Sequence, residues 1–314
     1  MILSTIIVRL LMLTFLFVFV VCLQQNPKPA RPTATKRSAS QPLLEVGKAA
    51  HIRPSPETNS QLKILSYNIR WRGGDDLRRL IKLWHEDPEI GAASLLGLQE
   101  VDRKKSRTGN VNTIKQIADE LGMHYAWSAP PTPIPGDEEE TGVAILSFFP
   151  LSEIQPLLLP HEGPGQRRRV ALGATVGIGT NRLRFYSVHS ETRISVDHKM
   201  EQLRMVLEDL DKRPANMPAI IVGDFNTWER NAVSKAHKLF ELAKFETPFN
   251  DQPTFLRKIL FFPLELKLDW IWTRNIQVIG AGIDRKISLS DHWPLWTIVR
   301  LAPAPGSKNE SAES

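Results

Sequence analysis

Several short apolar runs in the sequence stop at a side chain able to bind a metal or move a proton. Ile64-Leu65-Ser66-Tyr67 stops at Asn68, and Leu95-Leu96-Gly97-Leu98-Gln99 stops at Glu100. Phe185-Tyr186-Ser187-Val188 stops at His189. Ile220-Ile221-Val222-Gly223 stops at Asp224, with Asn226 two residues on. Leu268 precedes Asp269, and Ser290 precedes Asp291-His292. Polar groups at strand ends gathered on one rim of a sheet are a common way to assemble a site. The set holds carboxylates, carboxamides and imidazoles and no thiol. Hard oxygen donors of this kind suit Mg2+ or Mn2+ better than zinc. Taken singly, each residue has a plain structural reading: a turn asparagine, a strand-ending Gly-Asp turn, a solvated loop acid, a surface Asp-His pair. Their joint occurrence, in this order, points to chemistry.

The elements that must position these residues are short. The pattern predicts strands over Lys63–Tyr67, Ser94–Leu98, Val143–Ser147, Val170–Val176, Leu183–Val188, Ala219–Val222, Leu268–Trp272 and Leu295–Arg300, bounded by Gly, Pro, Asn or Asp. The clearest helix covers Asp197–Lys212, where Met200, Leu203, Val206, Leu207 and Leu210 share one face. Asn112–Leu121 and Arg230–Leu242 carry weaker helical patterns. Intermixed strands and helices without an internal boundary predict an α/β or α+β fold. Periodicity alone leaves the topology open.

On these segments the chain resembles the endonuclease/exonuclease/phosphatase superfamily, which shares the deoxyribonuclease I-like fold. The matching stretches include Leu65-Ser66-Tyr67-Asn68, Leu98-Gln99-Glu100-Val101, Gly142-Val143-Ala144-Ile145, Arg169-Val170-Ala171-Leu172, Gly223-Asp224-Phe225-Asn226, Leu268-Asp269-Trp270-Ile271 and Ser290-Asp291-His292-Trp293. The resemblance implies a four-layer sandwich, two packed mixed β-sheets flanked by helices. It also implies a metal-dependent phosphoesterase with its site at one end of the sandwich. By similarity, Glu100 is the main metal ligand, Asn68 lies beside it, and Asp291 completes the metal side. Asp224 positions or deprotonates the attacking water, and Asn226 donates to a phosphoryl oxygen. His292 contacts the scissile phosphate, with Asp269 orienting and charging it. His189 is a second phosphate donor or the leaving-group acid, and Arg169 is an added phosphate clamp. Arg167 and Arg168 read as solvated loop charges, and Lys199 and Gln202 as structural. Two departures stand out. Ser187-Val188-His189-Ser190 replaces the Asn-Thr-His-Leu common in relatives, and Arg70 stands where some abasic-site nucleases carry a metal-side acid.

The bulk composition of the 314 residues, 42% apolar and 24% charged, excludes a disordered chain. A single cysteine excludes an intramolecular disulfide framework and a cysteine-based zinc site. The formal charge of +6 invites a nucleic-acid or membrane reading, yet residues 1–60 hold seven Lys/Arg against two Glu, so +5 lies outside the 61–301 domain. Residues 1–23 are apolar apart from Arg9, Ser4, Thr5 and Thr14 and read either as a retained membrane anchor or as a cleaved export signal. The positive charges that follow favour a cytoplasmic C-terminal side, whereas export puts the domain outside. Residues 24–60 read as a flexible basic, Pro-rich tether, and 302–314 as a frayed tail.

The near-neutral domain argues against a dedicated duplex-DNA enzyme. The segment 257–267 is unusually apolar, with Arg257, Lys258 and Lys267 at its ends. It reads either as a buried strand or hairpin of the sandwich or as a loop that dips into a lipid interface. The expected substrates are therefore phosphoesters: a lipid headgroup or small molecule first, DNA or RNA as the alternative. An inactive family member used as a binding module is the third reading. No protein partner is expected.

Overall fold

The computed structural model describes residues 41–53, 61–131, 140–259 and 262–301. All belong to the compact unit Gln41–Ser314. The leader, most of the tether and the tail lie outside the described residues.

The strands are β1 (Leu43–Lys48), β2 (Gln61–Asn68), β3 (Leu95–Arg103), β4 (His124–Ala129), β5 (Glu140–Ser147), β6 (Leu151–Leu158), β7 (Val170–Ile178), β8 (Asn181–His189), β9 (Ala219–Asp224), β10 (Phe255–Ile259), β11 (Phe262–Leu266), β12 (Asp269–Arg274), β13 (Gln277–Ile283) and β14 (Leu295–Arg300). The α-helices are α1 (Gly74–Glu86), α2 (Thr113–Leu121), α3 (Val196–Leu210) and α4 (Arg230–Leu242). One sheet has seven strands in the order β1-β4-β5-β3-β2-β14-β13, and the other has five in the order β12-β9-β8-β7-β6. Each is mixed, because β2 runs parallel to β3 and β8 parallel to β9 while their other neighbours are antiparallel.

Burial explains the layering. Ile64, Leu95 and Ile145 of the first sheet pack with Leu172, Phe185 and Val222 of the second, forming the central core. The outer face of the first sheet covers α1 and α2 through Leu77, Leu80, Ile114 and Ile117. The outer face of the second covers α3 and α4 through Leu203, Val206, Ala236 and Phe240. This is the expected four-layer sandwich. Strands buried on both faces read as continuous apolar runs, which is why β2, β3 and β9 were visible without alternation. The sheets approach so closely that a Cβ on Gly97 would lie 2.2 Å from Val222 Cγ2.

The helix caps agree with the sequence. Asn112 accepts from the Lys115 amide at the start of α2, and Ser195 accepts from the His198 amide at the start of α3. Helix α1 is not among the expected elements. Its buried stripe of Leu77, Leu80, Ile81 and Trp84 is narrow within a strongly charged segment.

Two expectations are corrected. Leu43–Lys48, inside the expected tether, is instead an edge strand paired antiparallel to β4. Its Glu45 carboxylate accepts from Asn112 Nδ2 at 2.7 Å, Tyr125 Oη at 2.9 Å and Arg103 Nη1 at 3.0 Å, contacts that no local pattern announces. The apolar 257–267 segment belongs to neither large sheet. Strands β10 and β11 form a separate two-stranded hairpin in which Phe262 is 71% exposed.

Candidate active site

The topology brings the strand-end residues to one rim. Asn68 ends β2 and His189 ends β8; Asp224 ends β9. His189 and Asp224 are register partners, and so are Asp224 and Asp269 across β9 and β12. Gly223 has φ +140°, and a Cβ there would lie 1.9 Å from the Val188 carbonyl oxygen. Only glycine lets β9 approach β8 this closely just before Asp224. Glu100 sits at φ 57° where β3 slips register between Gln99 and Val101. The bulge interrupts β3's alternation at Glu100.

Asp224 bridges the two sheets. Its Oδ2 accepts from Asn68 Nδ2 at 3.1 Å, and its Oδ1 accepts from the Asn226 amide at 2.9 Å. Burial raises its pKa to about 7, with nearby Asp269 and Glu100 adding to the shift and His292 opposing it. His292 Nδ1 lies 2.9 Å from Asp269 Oδ2, and its Nε2 lies 3.8 Å from Asp224 Oδ2. Burial alone would depress this imidazole, but Asp269 and Asp224 outweigh it and lift the pKa to about 10. His292 is therefore an imidazolium at neutral pH.

His189 has the opposite character. Burial, then the charges of Arg169 and His292, hold it well below the usual histidine range. Its Nδ1 accepts from Arg169 Nη1 at 3.4 Å. That contact assigns the proton to Nε2, which points at Asp224 Oδ2 at 3.5 Å and Glu100 Oε1 at 3.9 Å. A neutral ring of this tautomer is a hydrogen-bond donor through Nε2 and a poor acid.

Arg169 is held by Glu191, whose Oε2 lies 3.3 Å from Arg169 Nε. Glu191 is fully buried and also accepts from Arg167 Nε at 2.8 Å. Arg167 is thus a partner in this cluster and not the free loop charge expected of it. Arg168 pairs with Glu162 at 3.6 Å. Gln202 Oε1 accepts from the Glu191 amide, and Lys199 Nζ donates to the Asn226 carbonyl at 2.8 Å. Asn226 itself spends one N–H on the Ser190 carbonyl at 3.0 Å. Asp291 Oδ2 pairs with Arg70 Nη1 at 2.8 Å, so the arginine at the position where some relatives carry an acid is an ion-pair partner of Asp291.

Sequence reasoning missed Thr254 and Glu191. Thr254 Oγ1 donates to Asp269 Oδ2 at 2.7 Å and accepts from the amides of Leu268 and Asp269. Nothing in the segment before β10 marks it. Glu191, two residues after His189, was a legible acid beside a motif histidine.

Two groups of side chains fit a divalent cation. Ligand atoms of Asp224, Asp269 and His292 lie within 4.8 Å of one another. His292 is engaged by Asp269 and protonated, and imidazole is a poor ligand for a hard cation. Glu100 fits better. Its carboxylate makes no hydrogen bond among the described residues and sits beside Asn68 through the pairing of Asn68 with Gln99.

The family model described as "Endonuclease/Exonuclease/phosphatase family" matches residues 65–292, and the chain belongs to this family. Its members are hydrolases of phosphoester bonds and are generally dependent on a divalent metal. The chain is 25% identical over 167 residues to the uncharacterized protein YbhP of Escherichia coli K12 and to that of Shigella flexneri. The match spans 52% of this chain and 64% of each relative. The fold is similar to that of an endonuclease/exonuclease/phosphatase from Beutenbergia cavernae, with TM-score 0.61, 20% identity, and 79% and 73% of the two chains covered. It is also similar to D. rerio TDP2 complexed with a single-strand DNA product, with TM-score 0.61, 16% identity, and 77% and 100% covered. The human nocturnin catalytic domain with bound sulfate gives TM-score 0.61, 16% identity, and 86% and 100% covered.

Proposed function

We propose that this hydrolase is a Mg2+-dependent phosphodiesterase, anchored at or exported across a membrane by residues 1–23, and that it acts on a lipid headgroup. The observation that carries the lipid reading is the exposed apolar hairpin joined to the site. The Leu256 amide donates to the Asp291 carbonyl at 2.8 Å, and the Phe255 ring meets the His292 ring edge-on at 5.0 Å. A hairpin with Phe262 at its outer end and Arg257 and Lys258 along it suits an anionic lipid surface.

Phosphodiester hydrolysis needs an activated water, charge neutralisation on the phosphoryl oxygens and help for the leaving oxygen. When bound, the cation would supply Lewis-acid polarisation and charge neutralisation, on the leaving oxygen as well as on the phosphoryl oxygens. Glu100 and Asn68 would hold it, with Asp291 on the same side. Asp224 accepts the proton of the attacking water, its carboxylate fixed by the Asn68 amide and the Asn226 N–H. The His292 imidazolium donates to a phosphoryl oxygen and is kept charged and oriented by Asp269. His189 Nε2–H and the Arg169 guanidinium are further donors to phosphate oxygens, and the remaining Asn226 N–H is another.

One observation favours a nuclease reading. Trp71, whose amide donates to the Glu100 carbonyl at 3.0 Å, is 36% exposed, with the Arg107 guanidinium 4.3 Å and the Arg70 guanidinium 5.4 Å from its ring. An aromatic face with flanking cations is a stacking platform for single-stranded nucleic acid. The detergent-solubilised full chain, assayed with Mg2+ or EDTA on sphingomyelin, phosphoinositides, plasmid DNA and RNA, separates the two. Lipid turnover abolished by EDTA is the expected result. Rapid DNA nicking without lipid turnover selects the nuclease, and full activity in EDTA removes both. A folded chain inactive on all four, before and after Glu100→Ala, leaves a binding module.

A further inference from the structure

A cavity of about 790 Å3 lies between α4 and the β10–β11 hairpin. The three segments that carry the reactive cluster also build its walls. Thr227 follows Asn226, Pro253 precedes Thr254, and Lys267 lies two residues before Asp269. Thr227 Oγ1 donates to the Lys267 carbonyl at 3.0 Å and accepts from Trp270 Nε1 at 2.9 Å, so this shared wall is hydrogen-bonded into one unit. Helix α4 adds Arg230 and His237, one side of the helix two turns long.

Lys267 is the unusual member. It is 5% exposed, and its Nζ has no hydrogen-bond partner among the described residues. The ammonium rests 4.1 Å from the Trp270 ring centroid, which does not replace an anionic acceptor. A buried ammonium without an acceptor is costly, and a methionine would fill the same space without that cost. The acids of the cavity do not supply the acceptor. Asp251 has a side chain 78% exposed and lies 3.5 Å from His237 Nε2, and Glu265 is exposed. Arg230 is exposed and makes no ion pair among the described residues. Among the described residues, the cavity thus has one buried and one exposed cation, neither with a carboxylate within ion-pair distance. Trp228, 50% exposed, offers a flat wall for the organic part of a ligand.

We infer that this cavity binds an oxyanion, and that in catalysis the oxyanion is a second phosphate carried by the substrate apart from the scissile ester. The second clause rests on the hydrolase reading above; the first does not. Lys267 supplies the buried charge and Arg230 the solvent-facing one. The pocket selects among phosphoesters by a group that does not react.

The test has a binding arm and a kinetic arm, both on the full chain. In EDTA, inorganic phosphate is titrated while the fluorescence of the tryptophans, including Trp228, is followed. Lys267→Met should weaken the phosphate Kd about tenfold, and Lys267→Arg should restore it. Binding should persist in His292→Ala, which alters the reactive cluster only. Phosphate binding lost in His292→Ala and unchanged in Lys267→Met would overturn the inference. In the kinetic arm, bis(p-nitrophenyl) phosphate is compared with the 5′-p-nitrophenyl ester of thymidine 3′,5′-bisphosphate, which carries a second phosphate. The ratio of their KM values should shift about tenfold against the second ester in Lys267→Met. Lys267-dependent phosphate binding with an unchanged ratio assigns the pocket to free phosphate and overturns the substrate clause. Hydrolysis of neither ester defeats the hydrolase reading, while the binding arm still decides the cavity.

Discussion

His292 Nδ1 and Asp269 Oδ2 stand 2.9 Å apart in a fully buried pair, and the same carboxylate oxygen accepts from Thr254 Oγ1 at 2.7 Å. Asp269 thus holds the imidazolium, and Thr254 holds Asp269. Asp269→Asn should lower kcat by roughly 10^2–10^4, by analogy with removal of the carboxylate that orients a catalytic histidine. Thr254→Val should lower kcat about tenfold with little change in KM. It should also cost about 1–3 kcal/mol of stability, because the amides of Leu268 and Asp269 lose their acceptor. Steady-state kinetics and denaturant unfolding of the two variants check both outcomes.

In the proposed mechanism Asp224 must be ionised to take a proton from water. Burial raises it to about 7, so kcat/KM should fall as the pH drops below 7, about tenfold per unit in the limiting range. His292 remains an imidazolium until about 10, which sets the alkaline limb. The pH–rate profile on a soluble phosphodiester shows whether the plateau lies between these limits. Asp224→Asn should remove the acid limb together with most of the activity.

The Glu100 carboxylate, which makes no hydrogen bond among the described residues, lets the proposed cation binding be tested apart from turnover. Glu100→Gln should weaken Mg2+ or Mn2+ binding by at least about tenfold in titration calorimetry, since Mg2+ takes only one or two carboxylates. Asp269→Asn should leave that affinity nearly unchanged. Equal losses in the two variants would place the cation at Asp224–Asp269–His292 instead.

Glu191 is buried between Arg167 and Arg169, so its removal strands charge. Glu191→Gln should destabilise the fold by about 3 kcal/mol, the low end for a broken buried pair because Arg167 remains partly exposed. With Arg169 unanchored, KM for a phosphodiester should rise more than kcat falls. A drop in kcat alone would show that Arg169 acts on His189 and not on substrate.

Phe262 tests the hairpin. Phe262→Ser should reduce partition onto anionic phospholipid vesicles by about ten- to a hundredfold, the loss expected for one buried aromatic side chain. Hydrolysis of a soluble ester should not change. Equal vesicle binding by the two proteins in a sedimentation assay would sink the membrane reading of this hairpin.

Much of the fold was legible because the central strands are buried on both faces. Ile64, Leu95, Phe185 and Ile220 stand in continuous apolar runs; Asn68, His189 and Asp224 sit where their strands end, and Glu100 sits at the bulge inside β3. What escaped was held by partners distant in sequence. Edge strand β1 depends on Tyr125, Asn112 and Arg103, and the Glu191 cluster joins Arg167 and Arg169 across two strands. Thr254 carries no local mark at all.

The residue types and their order carry the resemblance to the family and supply carboxylates, carboxamides and imidazoles, donors suited to a hard cation. They do not establish protonation. His189 and His292 look alike in the sequence, yet one is neutral beside Arg169 and the other charged between Asp269 and Asp224. That difference arises from burial and from charges brought together across two sheets. The buried Lys267 and the exposed Phe262 have the same origin: both lie in one apolar, basic-flanked segment, and only packing put the charge inside and the ring outside.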